Sequence, residues 1–184
     1  QVEEQTQHLI TRLRNGNLDL AIMALPSEAT GMVDSPLYTE KFSIVCPPDH
    51  PIAGREDVEL AELKDLDLLL LDDGHCLRDQ VVDLCRHANI NPAEATNSVT
   101  RASSLTTIMQ LVMGGLGCTL VPESALATEC HGKDVAIAHF ASGVTAEREV
   151  GLVFRSSAAR AEEFREFGTL ITSAYNKAIE RSRQ

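Results

Sequence analysis

The chain has 184 residues, 43% of them apolar, and a net charge of −11. That length gives one domain or two small lobes with a sizeable core, and no apolar run approaches the ~20 residues of a membrane span. A surface this acidic repels a phosphate backbone, so this piece is not expected to grip DNA itself.

Thr6 to Arg14 reads as a helix with Leu9, Ile10 and Leu13 on one face. Leu18 to Ala24 reads as a buried strand, and Lys41 to Val45 as a strand stopped by Pro47-Pro48. Leu60 to Leu63 is a short helical turn. Leu66 to Leu71, apolar but for Asp67, reads as a parallel strand covered on both faces. A helix with apolar Leu77, Val81, Val82, Leu84, Cys85 and Ala88 follows. Ser98 to Arg101 is a strand, and Ser104 to Met113 a helix with Ser103 or Ser104 as N-cap and Gly114-Gly115 closing it. Cys118 to Val121 is a strand, Glu123 to Thr128 a short helix, and Val135 to Ala138 and Val150 to Phe154 are strands. Ala158 to about Arg181 is a long last helix whose expected buried stripe is Phe164, Phe167, Leu170, Ile171 and Tyr175. Such alternation predicts an α/β fold with largely parallel sheets.

The start, Gln1-Val2-Glu3-Glu4-Gln5, has neither the basic nor the apolar stretch of a signal peptide. Five cysteines (Cys46, Cys76, Cys85, Cys118, Cys130) are an odd number without framework spacing. A reduced, cytoplasmic protein fits them better than a secreted disulfide scaffold.

Two of these thiols stand out. Cys76 lies in Asp72-Asp73-Gly74-His75-Cys76-Leu77-Arg78-Asp79-Gln80, and Cys85 follows nine positions later. A helix beginning at Cys76 would set its thiol among free backbone N–H groups at the positive end of the dipole, which favours the thiolate. His75 and Arg78 add to that effect, whereas Asp72, Asp73 and Asp79 oppose it. The plainer reading makes both cysteines small packed hydrophobes. Nine helical residues rise about 13.5 Å and turn through about 900°, which points the two thiols to opposite faces. A disulfide needs Cα atoms within about 7 Å. If these cysteines pair, the segment must unwind.

The run Asp73-Gly74-His75-Cys76-Leu77-Arg78-Asp79-Gln80, with Cys85 beyond it, resembles the OxyR family of hydrogen-peroxide-sensing LysR-type transcription regulators. The resemblance extends over most of the chain. It takes in Gly16-Asn17-Leu18-Asp19-Leu20-Ala21-Ile22, Asp49-His50-Pro51 and Thr100-Arg101-Ala102-Ser103-Ser104-Leu105. It continues through Gly114-Gly115-Leu116-Gly117-Cys118-Thr119-Leu120-Val121-Pro122 and Arg148-Glu149-Val150-Gly151-Leu152-Val153.

It implies two Rossmann-like lobes of the periplasmic-binding-protein type, joined by crossings near Tyr38 to Ser43 and Val144 to Val150. Lobe I would be 1–40 with 148–184, and lobe II, carrying the thiols, 41–147. It also implies an N-terminally incomplete effector domain. The strand and helix that open such domains, and the winged-helix DNA-binding domain, would precede Gln1. A polar residue of the peroxide site would lie in that missing part.

By the same resemblance Cys76 is the thiol oxidised by peroxide and Cys85 the one that resolves it to a disulfide. Thr6 would hydrogen-bond peroxide across the lobe boundary, His75 would orient peroxide or thiolate, and Arg148 would complete the polar site. Asp79 would belong to the switch helix. The plainer roles are a helix N-cap for Thr6, a surface histidine beside a turn for His75, an exposed strand-start charge for Arg148 and a dipole-favouring acid for Asp79.

No metal or other cofactor is expected. His75, Cys76, Cys85 and His87, or Cys130-His131, lack zinc-ligand spacing. Gly114-Gly115-Leu116-Gly117 follows a helix and is a turn rather than a phosphate cradle, and no G-x-S-x-G is present. Cys46, Cys118 and Cys130 are most simply packing residues. The implied function is redox sensing, not enzymatic turnover. Its partners would be hydrogen peroxide, a cellular thiol reductant, further copies of the chain (a dimer, and a tetramer at full length), and DNA only through the absent domain. The alternatives are an effector domain binding a small metabolite between its lobes, and a thiol peroxidase with an external reductant.

Overall fold

The computed structural model describes residues 6–73 and 75–182, with the backbone alone for 96–101, 181 and 182. The elements in chain order are α1 (Thr6–Arg14), β1 (Leu20–Leu25), β2 (Met32–Cys46), a 3-10 turn (Leu60–Asp65), β3 (Leu68–Leu71) and α2 (Cys76–His87). They continue with α3 (Pro92–Ala95), β4 (Thr96–Ala102), α4 (Leu105–Met113), β5 (Thr119–Pro122), α5 (Glu123–Cys130), β6 (Ala136–Ala138), β7 (Glu147–Arg155) and α6 (Ala161–Ser182). The chain divides into two compact units, Gln1–Glu40 with Arg148–Gln184 and Lys41–Glu147, and β2 and β7 are the strands that pass between them.

In the first unit β7 lies between β1 and β2, and β1 runs antiparallel to β7 with Ile22 opposite Leu152. Alternation along β7 divides its side chains between two cores. Val153 packs with Ile10 and Leu13 of α1 and with Ala21 and Met23 of β1. Leu152 and Phe154 pack with Phe164 of α6, beside Leu37 and Ile171. Arg155 ties the end of α1 down, donating to the Leu13 and Leu18 carbonyls.

In the second unit β3 and β4 are parallel, while β2 is antiparallel to both β5 and β6. Every side chain of β3 is buried. Leu68 and Leu70 enter the core that holds Val81, Leu84 and Cys85 of α2, and Leu69 and Leu71 the core that holds Ile108, Met109 and Val112 of α4. Ser104 caps α4 as expected, its Oγ accepting from the Thr107 N–H at 3.2 Å.

Three expectations need correction. The sheets are not largely parallel: pairings of β2 and β7, the strands that pass between units, are antiparallel, and β3 with β4 supplies the parallel ladder. The strand expected at 41–45 runs from Met32 to Cys46 and takes in Asp34-Ser35-Pro36, for which no strand is expected. On α6, Phe167 and Leu170 are 47% and 67% exposed rather than buried. The helix turns its small residue inward instead. A Cβ on Gly168 would meet Leu37 and Leu152 at 2.8 and 3.0 Å, so the packed face runs through Phe164, Gly168 and Thr172, whose hydroxyl donates to the Leu37 carbonyl.

The turn between α4 and β5 sets the register of the second unit. Gly117 sits at φ 151°, where a Cβ would lie 2.2 Å from the Asp67 carbonyl oxygen, whereas Gly115 at φ 75° faces open space. Gly115→Ala should therefore cost about 1–2 kcal/mol of backbone strain. Gly117→Ala, which adds a clash with fixed backbone, should cost more than about 3 kcal/mol. Urea unfolding of both variants checks this, and equal losses would remove the close approach as the cause.

Candidate functional site

His75, with extended φ −86° and ψ 123°, is the N-cap of α2, and Cys76 is the first helical residue. The first-turn N–H groups of any helix have no partner inside it, so the Cys76 sulfur stands at an electropositive end. The helix begins here because His75 holds the extended backbone of an N-cap and an apolar stripe follows. The His75 N–H reaches the Asp72 carbonyl at 3.5 Å, and the Arg78 N–H donates to the His75 carbonyl at 3.0 Å. Arg78 Nε donates to Asp73 Oδ1 at 2.7 Å, and the Arg78 side chain is only 17% exposed. That pair fastens the loop to the helix and engages the cation expected beside the thiol. Gly74 lies outside the described residues. Asp79 is exposed in the first turn, where an acid favours the helix dipole.

Cys76 is half-buried, Cys85 is fully buried, and both are free thiols. Cys85 lies inward with Val81 and Leu84, and burial pushes its thiol pKa up, which keeps it protonated. α2 is unbroken over 12 residues, so the helix separates the two sulfurs by about 13.5 Å of rise and places them on different faces. Leu77, Val82 and Ala88 pack at the edge of the same core. Among the described residues no group of three or more His, Cys, Asp or Glu side chains is placed to hold a metal ion.

Thr6 and Arg148 belong to the first unit. Thr6 opens α1. Arg148 is not the exposed charge of the plainer reading. Its Nη2 and Nε lie 2.5 and 2.7 Å from Glu40 Oε1, and the Glu40 side chain is completely buried. Glu40 and Arg148 flank the two points at which the chain passes between units. Tyr38 lies beside them. Burial, then the Glu40 charge, raises its phenol pKa, while Arg148 opposes the shift. Its ring stacks on Tyr175 at 3.8 Å and 7°. Sequence reasoning placed the first crossing near Tyr38 to Ser43 but gave neither Tyr38 nor Glu40 a part in the site.

The model of the LysR substrate binding domain matches residues 1–175. The probable hydrogen peroxide-inducible genes activator of Mycobacterium avium is 48% identical over 169 residues, which cover 92% of this chain and 53% of that protein. The chain thus spans about half the length of the curated relatives it matches. Among solved structures, the hydrogen-peroxide-bound form of a cysteine-to-serine variant of OxyR from Corynebacterium glutamicum has a TM-score of 0.94 at 59% identity, covering 97% of this chain and 56% of that one. The oxidised form of the same organism's OxyR has a TM-score of 0.85 at 59% identity, covering 99% and 56%. The chain belongs to the LysR substrate-binding-domain family.

The Glu40–Arg148 pair makes a direct expectation. Arg148→Ala removes the guanidinium from a carboxylate with no exposure, and breaking a buried pair in this way typically costs about 3–5 kcal/mol. Replacing both, Glu40→Gln with Arg148→Met, should recover part of that loss. Chemical unfolding of the single and double variants measures it, and a change below about 0.5 kcal/mol in Arg148→Ala would mark the pair as a surface-type interaction.

Proposed function

We propose that this domain is the peroxide-sensing regulatory part of a LysR-type transcription regulator. The Cys76 thiolate attacks hydrogen peroxide, taking one oxygen to become sulfenic acid and releasing water after proton uptake. Cys85 then displaces the hydroxyl as a second water and forms the Cys76–Cys85 disulfide. The observation that carries this reading is the placing of one half-buried thiol at the start of α2 and a second, fully buried, nine residues along the same helix. Such a pair cannot bond without unwinding its helix. A bond that requires refolding is a switch. The higher TM-score to the peroxide-bound variant than to the oxidised form supports a domain whose shape changes on oxidation.

In this reading His75 and Thr6 orient peroxide, and Asp79 belongs to the segment that refolds. Arg148 acts through its bond to Glu40, holding the polar end of the first unit. The chemistry is stoichiometric, one peroxide for each reduced domain, so the protein is a sensor and not an enzyme. A thiol reductant resets it in the cytoplasm. The refolded segment alters how copies of the chain pair, and a DNA-binding domain outside this sequence reads the change.

Cys85→Ser should stop at Cys76 sulfenic acid, which a dimedone-type probe labels, and Cys76→Ser should lose rapid peroxide consumption. In the wild type, hydrogen exchange across 76–86 should rise on oxidation. Protection that stays unchanged once mass spectrometry confirms the Cys76–Cys85 bond would overturn the unwinding step. A domain that consumes peroxide no faster than Cys76→Ser would instead favour a metabolite-binding effector domain.

A further inference from the structure

Cys46 ends β2, and Cys118 immediately precedes β5, the strand paired with it. β2 and β5 pair antiparallel with Ile44 opposite Leu120 and Val45 opposite Thr119, so the next position sets Cys46 opposite Cys118. The backbone shows which kind of pair this is. The Cys118 N–H points to the Asp67 carbonyl at 3.4 Å, and the Cys118 carbonyl accepts from the Leu69 N–H at 2.8 Å. Both groups therefore face β3, away from β2. Cys46 stands in register with Ala136 of β6 on the opposite edge of β2. Cys46 and Cys118 thus form a non-hydrogen-bonded cross-strand pair, in which Cα atoms lie about 4.5 Å apart and side chains share a face. Their burial agrees: both have 0% exposure and enter the same core as Ile44 and Leu120. They also interact electrostatically. Burial first, then the charges of Cys46 and Asp67, push the Cys118 thiol pKa up to about 12.

A separation of about 4.5 Å lies inside the disulfide window of about 4.4–6.8 Å. We propose that Cys46 and Cys118 are a second redox pair, which closes to a cross-strand disulfide when hydrogen peroxide is in excess. One thiolate attacks peroxide, breaks its O–O bond and becomes a sulfenic acid, with the departing hydroxide protonated to water. The other sulfur displaces the sulfenic hydroxyl as a second water and completes the S–S bond. Two thiols and one peroxide become one disulfide and two waters: each sulfur loses one electron and the peroxide gains two.

This pair differs from the α2 pair in both rate and consequence. A thiol at about 12 holds far less thiolate than an ordinary one near 8.5, and the higher nucleophilicity of the rarer thiolate offsets only part of that. Its attack should be about 10²-fold slower than that of an exposed thiol. No helix has to unwind, because the sheet register already sets the two backbones within disulfide reach, and the Cys46 Sγ, 3.7 Å from the Ala136 carbonyl oxygen, has only to turn toward Cys118. The bond would close a loop of about 70 residues and tie β2, the strand that enters this unit, to β5.

The test uses a Cys76→Ser/Cys85→Ser double variant alongside the wild type, which separates this proposal from the sensor reading. Each is treated with millimolar hydrogen peroxide over hours, acid-quenched, alkylated in denaturant and mapped by mass spectrometry. The expected result is a peptide pair linked through Cys46 and Cys118 in both proteins, forming at least about 10²-fold more slowly than Cys76 is lost in the wild type. Dithiothreitol should abolish the link together with an accompanying rise in Tm. The wild-type map stands alone if the double variant does not fold. The proposal is overturned if Cys46 and Cys118 remain fully alkylatable, if either goes to sulfinic acid without a link, or if either pairs instead with Cys130.

Discussion

The inward face of α2 is the constraint on which the behaviour of this domain turns. Val81, Leu84 and Cys85 are buried against Leu68, Leu70 and Ala95 in one core, and each of the two aliphatic side chains contributes about 1.5–3 kcal/mol there. That packing holds a 12-residue helix straight and so keeps its two thiols apart. A disulfide between them has to overcome the same packing. The core therefore sets both the stability of the reduced form and the strain of the proposed oxidised form. A bond made against that strain is more easily reduced than a structural one, which suits a signal that must be reversed.

The first unit meets a different problem. Its two connections to the rest of the chain end in Glu40 and Arg148, and a carboxylate with no exposure is tolerable only with a partner. Arg148 supplies one charge-assisted interaction from two nitrogens to a single oxygen. Tyr38, stacked on Tyr175 of α6, walls the pair from the side. An arginine held this way is pre-positioned by the fold. Its value to a peroxide site would come from a fixed orientation, not from a mobile charge. A change at Arg148 therefore mixes two effects, loss of a proposed site group and loss of the charged partner of a buried Glu40. Kinetics on such a variant have to be read beside its stability.

Local signals were the legible ones. The 3.6-residue period located α1, α2 and α4, Ser103 or Ser104 and the glycines after Met113 bounded α4, and the run from Leu66 to Leu71 announced the covered strand that the structure begins at Leu68. The helix start at Cys76 was readable for the same reason. Features that depend on pairing across the chain were not. Asp34-Ser35-Pro36 carries no strand pattern of its own and belongs to β2 only through pairing. The rotation of α6 follows from the close approach of Gly168 to Leu37 and Leu152, which no periodicity reveals, so Phe167 and Leu170 were assigned to the wrong face. Glu40 gives no sign of importance until Arg148, 108 positions away, is seen against it.

The same distinction between local and long-range geometry separates the two thiol pairs. Cys76 and Cys85 are neighbours in sequence, yet the helix holds them apart. Cys46 and Cys118 are far apart in sequence, yet the sheet register brings them together. Proximity in the chain therefore runs opposite to proximity in the fold. A bond in the helix has to change the structure, whereas a bond in the sheet would preserve it. Reactivity divides the pairs in the same sense. The helix start exposes one thiol to solvent and to the dipole, while the sheet buries both of its thiols and drives one of them to about 12. On the two proposals together, a domain arranged this way would answer the first equivalents of peroxide by refolding, and its core would become covalently fixed only when oxidation persists.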